Sequence, residues 1–317
     1  MVNKLFIIGN GFDLWCGLPT NFSVFKDYYY KYRDSIMERC NIRYKEIYYD
    51  EQIRKFSDVE LIYGNPFWID DLDEQFWFNF EESLSEVDDY YINLFFGKED
   101  ADLEELNYCI NNAKRILTEA FTSWIKSIHI EKKTSEYIFD ESCEFLNFNY
   151  TDTLQKYFDI SNERIHFIHG QANDEGSIIF GHDSQSEPPP LLAHEFGGRF
   201  RGLFTIANLL YETDKHIDEN IEMFTIYLSI KGIMPNDIKD VYVLGHSFGN
   251  VDFKYFKFLV SATNESASWH ISCYSEEDEN RVNETMDELG FENYKIYKSI
   301  DECIKSFNKT DISKDEQ

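Results

Sequence analysis

The sequence has few of the features that mark metal-binding modules, disulfide frameworks or membrane spans. Its six cysteines are scattered and form no Cys-x-x-Cys pair, which favours neither a zinc module nor a set of disulfides. No apolar run approaches the roughly 20 residues of a transmembrane helix. The N-terminus also lacks the basic-then-apolar layout of a signal peptide. We therefore expect no bound metal, no membrane contact and a cytoplasmic location.

Positively charged residues are also few relative to acidic ones. The chain carries 30 Lys and Arg against 59 Asp and Glu, a net charge of -29. Such a chain repels nucleic-acid backbones, so a general binder of DNA or RNA is disfavoured. A small anionic ligand remains compatible with this charge, because the N–H groups at a helix N-terminus act locally.

The most informative stretch lies near the N-terminus. Leu5 to Ile8 is a short, wholly apolar run, which is typical of a strand in a buried parallel sheet. It ends in Gly9-Asn10-Gly11, and a helix beginning near Phe12 would turn its N–H groups toward this turn. That arrangement predicts a phosphate site, although Leu14 stands where the dinucleotide fingerprint has its third glycine. A second break, Gly17-Leu18-Pro19, predicts a loop that arches back over the turn.

The remaining chain alternates strands and helices, which predicts an α/β fold, Rossmann-like, with a mostly parallel sheet. We expect one domain over residues 1–317, with a helical insertion at about 25–140 and a helical segment at about 191–235. Within the insertion, apolar side chains recur every three or four residues from Leu103 to Ile128. This stripe indicates a core-facing helix, with a dimer seam as the alternative.

Polar residues follow several of the predicted strands. Asn149 ends one strand, His169 ends the next beside a glycine, and Gly181 ends a short run before His182 and Asp183. His166, inside its strand, is interpreted as a structural histidine. The carboxyl ends of parallel strands share one edge of a sheet, so we expect these ends to gather there with Gly9 and Gly245. His169 is then expected to face a cleft.

Gly245-His-Ser-Phe-Gly249 allows a different chemistry. A Gly-x-Ser-x-Gly motif after a strand is the nucleophile signature of α/β-hydrolases, with Ser247 as the nucleophile. However, only His270 follows it, inside a strand, and about 70 residues remain after Ser247. The serine-hydrolase alternative also leaves the Gly9, Asn149 and His169 motifs without a role.

The same stretches, in the same order, resemble the sirtuin-like nucleotide-binding fold. The matching elements are the Gly-x-Gly turn with Gly17-Leu18-Pro19, the strand end at Asn149, the His169-Gly170 strand end, and Gly245-His-Ser247 with the later Asp252. More closely, the chain is similar to the AbiH family of bacterial abortive-infection proteins. The resemblance rests on IIGNGFDLWCGLPTNF, FLNFNYTDTL, IHFIHGQ with IIFGHD, and VYVLGHSFGNVDFKYF, which span nearly the whole length.

The resemblance implies an antiphage effector that consumes NAD by cleaving the nicotinamide–ribose bond, with NAD as substrate and no other cofactor. His169 would be the general base and Asn149 would orient water or the ribose. Asp13 or Asp183 would stabilise the oxocarbenium-like transition state. The nucleotide itself would be held by the turns after the first and fourth strands, through Gly9, Asn10, Gly11, Phe12, Gly17, Pro19, Gly245, Ser247 and Asp252.

Several departures limit how far the sirtuin chemistry carries over. The chain has no zinc-cysteine module and no Arg after Pro19, so protein deacylation is not expected. Asp13 replaces a small hydroxyl residue, and Asp152 comes one residue later than in the usual Asn-x-Asp. Two alternatives stay open: a nucleotide-sensing module that signals to a partner, and a nuclease or nucleotide hydrolase. A phage-derived trigger, a defence partner protein or a homo-oligomer would be the expected partners.

Overall fold

The computed structural model describes residues 2–40, 103–131, 137–172, 178–179, 181, 183, 214–264 and 266–312. The chain divides into two compact units. The first consists of Met1–Thr20, Ile128–Ile179 and His216–Gln317, and the second of Asn21–Ser127 and Phe180–Lys215.

The first unit contains a parallel sheet of six strands in its described residues. These are β1 (Lys4–Ile8), β2 (Cys143–Asn147), β3 (Ile165–Phe167), β4 (Asp240–Leu244), β5 (Ser268–Ser272) and β6 (Tyr294–Tyr297). Their spatial order is β3-β2-β1-β4-β5-β6, and every neighbouring pair is parallel. This order, 3-2-1-4-5-6, is that of the dinucleotide-binding Rossmann fold.

Within the first unit, helices pack on both faces of the sheet. In chain order the described helices are α1 (Asn10–Trp15), α2 (Phe22–Arg39), α3 (Leu103–Ser127), α4 (Thr153–Phe158), α5 (Ile217–Ile230), α6 (Phe253–Ala262), α7 (Glu276–Leu289) and α8 (Ile300–Ile312). Short 3₁₀ turns occur at Asn162–Arg164, Pro235–Asp237 and Asn250–Asp252. None of the described helices is long and apolar enough to cross a membrane.

The central strand β1 is apolar on both faces because both faces are covered. Leu5 and Ile7 belong to the core formed with α5, α6 and α7, whereas Phe6 and Ile8 belong to the core with α1, α4 and α8. Phe6 lies at the centre of the second core, with its ring 4.8 Å from that of Tyr242. A parallel strand buried in this way needs a continuous apolar run rather than an alternating one.

In the second unit, α2 and α3 pack against each other through aromatic side chains. The Phe25 ring lies 5.3 Å from that of Trp124 and 5.6 Å from that of Phe121. At the end of α2, Arg39 Nε donates to Glu119 Oε1 over 2.6 Å. Asn21 caps α2 by accepting a hydrogen bond from the Val24 N–H.

The architecture confirms the predicted α/β class and parallel sheet. β1 and β4 end directly before Gly9 and Gly245, whereas β2 and β3 end two residues before Asn149 and His169. Ile178 and Ile179 are not in a strand, and the rest of the run predicted to end at Gly181 lies outside the described residues apart from Gly181 itself. Residues 41–102 and 191–213 of the predicted helical segments also lie outside the described residues. Within the described parts of these segments, the structure contains the helices α2, α3 and α5.

Candidate functional site at the carboxyl edge of the sheet

The candidate site lies where the strand order reverses, between β1 and β4. Ile8 pairs with Asn147 on one side and with Leu244 on the other, so the three strands end in one row. The next residues, Gly9, Phe148 and Gly245, therefore begin three adjacent loops. Ligands of open α/β sheets bind outside this kind of reversal point.

The glycines of the two turns allow their backbones to touch. A Cβ on Gly9 would lie 2.6 Å from His246 Cα, and one on Gly11 would lie 2.8 Å from the Gly245 carbonyl oxygen. A Cβ on Gly245 would lie 2.3 Å from the Phe12 nitrogen, and the φ of Gly245 is +67°. No L side chain fits at these positions, so all three glycines serve this junction between the β1 and β4 turns.

The backbone N–H groups of the first turn are engaged within the protein. Gly9 donates to the Leu244 carbonyl over 3.0 Å, Gly11 to the Gly245 carbonyl over 2.8 Å, and Phe12 to the Gly9 carbonyl over 2.9 Å. The sequence predicted that these groups would face a phosphate. In the structure they hold the turn, whereas Asn10 is partly exposed and is the side chain that the turn presents.

Asp13 faces the protein interior from α1. Its side chain is only 1% exposed, and Oδ2 accepts a 2.6 Å hydrogen bond from the Thr151 hydroxyl. Since that hydroxyl donates to Asp13, it accepts from Thr153 Oγ1, 2.9 Å away. The other carboxylate oxygen, Oδ1, has no hydrogen-bond partner among the described residues.

Burial sets the acidity of this carboxyl group. Desolvation raises the pKa of Asp13 to about 6, although the hydroxyls of Thr151 and Thr153 and the Asn149 amide oppose the shift. A carboxyl group with this pKa exchanges its proton just below neutral pH, where groups suited to acid–base chemistry titrate.

Asn149 ties the end of β2 to the first turn. Its side-chain Nδ2 donates to the Gly9 carbonyl over 3.0 Å, and its backbone N–H donates to Asn147 Oδ1 over 3.1 Å. Both asparagines are buried. The hydrogen bonds of Asn149 thus fix its position beside the turn that carries α1 and Asp13.

His169 lies among aromatic rings. Its ring centroid is 5.3 Å from that of Phe148, 5.7 Å from that of Tyr255 and 6.1 Å from that of Tyr150, and it is 4% exposed. The sequence predicted a cleft-facing histidine, but the ring is enclosed. His166, interpreted as structural, packs on Phe224 and Tyr227, and burial lowers the pKa of His166 to about 4.

The β4 turn contains a buried pair that sequence reasoning missed. His246 Nδ1 accepts a 3.0 Å hydrogen bond from the Phe248 N–H, so the imidazole proton lies on Nε2 when the ring is neutral. Nε2 is 3.4 Å from Asp252 Oδ2, and both side chains are buried. Asp252, predicted to bind the nucleotide, therefore faces His246. The sequence did not single out His246 because this residue occupies the variable position of the Gly-x-Ser-x-Gly motif.

Ser247 is partly exposed, and its carbonyl accepts a 3.0 Å hydrogen bond from Arg281 Nε. His270 is not available as a base for Ser247. The Nδ1 of His270 lies 3.0 Å from the Tyr297 hydroxyl, and the His270 ring stacks on Tyr242 at 4.5 Å. The histidine that follows Ser247 in the sequence is thus engaged elsewhere.

The other predicted residues are more dispersed. Gly17 and Pro19 are exposed after α1, and Gly17 has a φ of +84° with open space where a Cβ would point. Asp183 belongs to the second unit and is partly exposed. In the described part of the chain, no group of three or more His, Cys, Asp or Glu residues is arranged to hold a metal ion.

Comparison with known proteins adds one match. A family model described as "Bacteriophage abortive infection AbiH" matches residues 5–273, which run from β1 to the end of β5 and include every element of the candidate site. No curated protein and no solved structure matches the chain. Since the family model covers most of the sequence and the sequence motifs point the same way, the chain belongs to the bacteriophage abortive infection AbiH family.

Proposed function

We propose that this protein is an abortive-infection effector that binds NAD at the carboxyl edge of its sheet and cleaves the nicotinamide–ribose bond. The observation that carries the proposal is the strand order, 3-2-1-4-5-6, with the polar residues of the AbiH motifs at its reversal point. Depletion of NAD would stop the metabolism of an infected cell, which is how such an effector would limit a phage.

In the proposed reaction, water attacks C1′ of the ribose and the bond to the nicotinamide nitrogen breaks. The bonding electrons leave with nicotinamide and neutralise its pyridinium charge, and a protein base takes the proton from water. A carboxylate is suited to stabilise the oxocarbenium-like transition state. Asp13 is the candidate for this role because its Oδ1 has no hydrogen-bond partner among the described residues, and since the side chain is buried, nucleotide binding would have to expose it.

Asn149 and His169 would position and deprotonate the water. The hydrogen bond from Asn149 to the Gly9 carbonyl supports a positioning role, since it fixes the amide in place. His169 would reach substrate only if Tyr150, which is partly exposed, moved from its ring. The proposal thus includes a rearrangement of Tyr150 when the nucleotide binds.

A nucleotide sensor without cleavage is the second candidate, and a specific observation favours it. His169 is enclosed by three aromatic rings, and the N–H groups of Gly9, Gly11 and Phe12 already have acceptors within the protein. In this alternative, binding of a nucleotide would change the β1 and β4 turns, and the change would be passed to a partner.

One set of assays separates the two candidates. The purified chain would be incubated with NAD and, separately, with the carbocyclic analogue that lacks the ribose ring oxygen and so cannot form an oxocarbenium ion. Release of nicotinamide and ADP-ribose from NAD, with the analogue bound but intact, would support the hydrolase. Binding of both without products would select the sensor, and binding of neither would overturn both. NAD would also be measured in expressing cells before and after phage infection, because the effector is expected to need a trigger.

A further inference from the structure

The helix α5 is apolar on two sides. Its inner side packs into the core beside the sheet through Ile217, Phe224 and Leu228, which are at most 5% exposed. Its outer side also carries apolar residues, since Met223 is 57%, Ile226 43% and Ile230 82% exposed. A helix that is apolar on both sides is normally covered on both.

The exposed residues form one continuous face. Positions 223, 226 and 230 are separated by three and four residues, so their side chains lie in one row along the helix. Met234, 64% exposed, follows in the turn after the helix. Of the nine large apolar side chains that are exposed in the described residues, these four fall within twelve positions. Scattered single residues would need no explanation, but a row of this kind marks a contact surface.

We propose that this outer face of α5, formed by Met223, Ile226, Ile230 and Met234, docks a partner protein through an amphipathic helix that carries Lys and Arg beside its apolar stripe. The Lys and Arg of the partner are inferred from acidic residues on α5, because Asp218, Glu219 and Glu222 are exposed along the first half of this helix. The inference is independent of NAD cleavage.

The charge pattern also decides against a second copy of the chain as the occupant. Two copies would bring the same acidic residues together, and each copy has a net charge of -29. The cation at the end of the helix does not offset this repulsion, since Lys231 Nζ lies 2.7 Å from the buried Glu144 carboxylate. The flexible side chains of Met223 and Met234 suit a surface that adapts to its partner.

The test uses synthetic helical peptides and two matched double variants of the full chain. The probe is a fluorescent peptide with Leu on one face and Lys on the others. Its controls are a scrambled peptide of the same composition and a Leu/Glu peptide. The variants are Ile226→Gln/Ile230→Gln on the outer face and Thr225→Gln/Ser229→Gln at exposed neighbouring positions. Binding is measured by fluorescence anisotropy.

We expect the Leu/Lys peptide to bind the wild type and the Thr225/Ser229 variant equally. The Ile226/Ile230 variant should bind it roughly tenfold more weakly or worse, and the scrambled and Leu/Glu peptides should bind the wild type weakly. Equal binding by both variants would overturn the proposal, as would equal binding of the Leu/Glu peptide. So would a wild-type dimer in sedimentation that the Ile226/Ile230 variant lacks, or a melting temperature lowered by that variant, because each result would assign the face another occupant.

Discussion

Asp13 carries its charge in a buried position, where an ionised carboxylate is costly. The folded protein holds a proton on this group more tightly than the unfolded chain does, since the pKa is raised from 3.8 to about 6. The cost of the charge is therefore absent below about pH 4, grows as the pH rises through 6, and is fully present at pH 8. This pKa shift corresponds to a loss of about 3 kcal/mol in the free energy of unfolding when the carboxyl group is ionised. Such a cost at a candidate site is typical of groups retained for function.

Replacement of Asp13 by Asn should remove this cost while keeping an acceptor for Thr151. We expect Asp13→Asn to be more stable than the wild type at pH 8 by about 1–3 kcal/mol, with the gain disappearing toward pH 4. Urea denaturation at several pH values would measure it. Asp301→Asn is the control, and for this variant we expect the opposite change in stability. Hydrogen bonds from Tyr137 and Trp15 lower the pKa of Asp301, so this variant should lose stability at pH 8. An Asp13→Asn protein that is less stable at pH 8 would contradict the account.

The proposed role of His169 as a base can be tested by a substitution that leaves no cavity. Because the ring is enclosed, His169→Ala would lower stability and confuse the result, so His169→Gln is the better variant. In the hydrolase, loss of the base should slow NAD cleavage by roughly 10²–10⁴-fold. His166→Gln, in the preceding strand, is the matched control and should keep its activity. Unchanged cleavage by folded His169→Gln would remove His169 from the mechanism.

At the scale of the elements, the junction between the β1 and β4 turns decides the geometry of the site. Gly9, Gly11 and Gly245 bring two loops into backbone contact, and Asn149 adds a third loop through the Gly9 carbonyl. The three loops are thus joined to one another by direct contacts.

Two glycines with nearly the same φ allow the junction to be tested. Gly245 has a φ of +67° and Gly232 a φ of +68°, but only Gly245 of this pair has backbone atoms in the space of a Cβ. Gly232→Ala should cost roughly 1–2 kcal/mol, the penalty for an L residue in the left-handed region. Gly245→Ala should cost that amount plus the displacement of the β1 turn, so we expect about 4 kcal/mol or more, or an insoluble protein. Equal melting temperatures for the two variants would show that the junction yields easily.

The sequence predicted the elements well and their long-range contacts poorly. The apolar run from Leu5 to Ile8 predicts a strand, and β1 is found at Lys4–Ile8, because a short apolar run that ends in a turn is a local signal. Gly9 and Gly11 predicted a phosphate site, whereas in the structure they contact the backbone of the β4 turn. Glycine allows close approach to a ligand and to another backbone equally, so the sequence does not distinguish the two. The partners that decide the matter, Gly245 for the glycines and Thr151 for Asp13, lie more than 130 positions away. No local pattern reports such a contact.

At the scale of the whole molecule, charge is the dominant property. A net charge of -29 and a pI near 4.5 mean that acidic groups repel one another across the folded surface. This repulsion falls when the protein unfolds and the charges separate, so it lowers stability at neutral pH.

Salt should therefore stabilise the protein. The Debye length falls from about 30 Å at 0.01 M salt to about 10 Å at 0.1 M. We expect the melting temperature at pH 7.5 to rise by several degrees over this range of NaCl, as measured by differential scanning calorimetry. The control is the same titration near pH 4.5, where the net charge is close to zero. A rise of equal size there would show that charge repulsion is not the cause.

The position of β1 in the sheet also has a consequence for the synthesis of the protein. β1 is made first, yet its two neighbours begin at Cys143 and Asp240. Ribosomes add roughly 5–20 residues per second, so the strand waits on the order of 10–50 s for its second neighbour. Until β2 has been made, the apolar run has neither of its neighbouring strands to pair with. The junction that unites the turns forms only after Gly245 has left the ribosome, so an unfinished chain has no assembled candidate site.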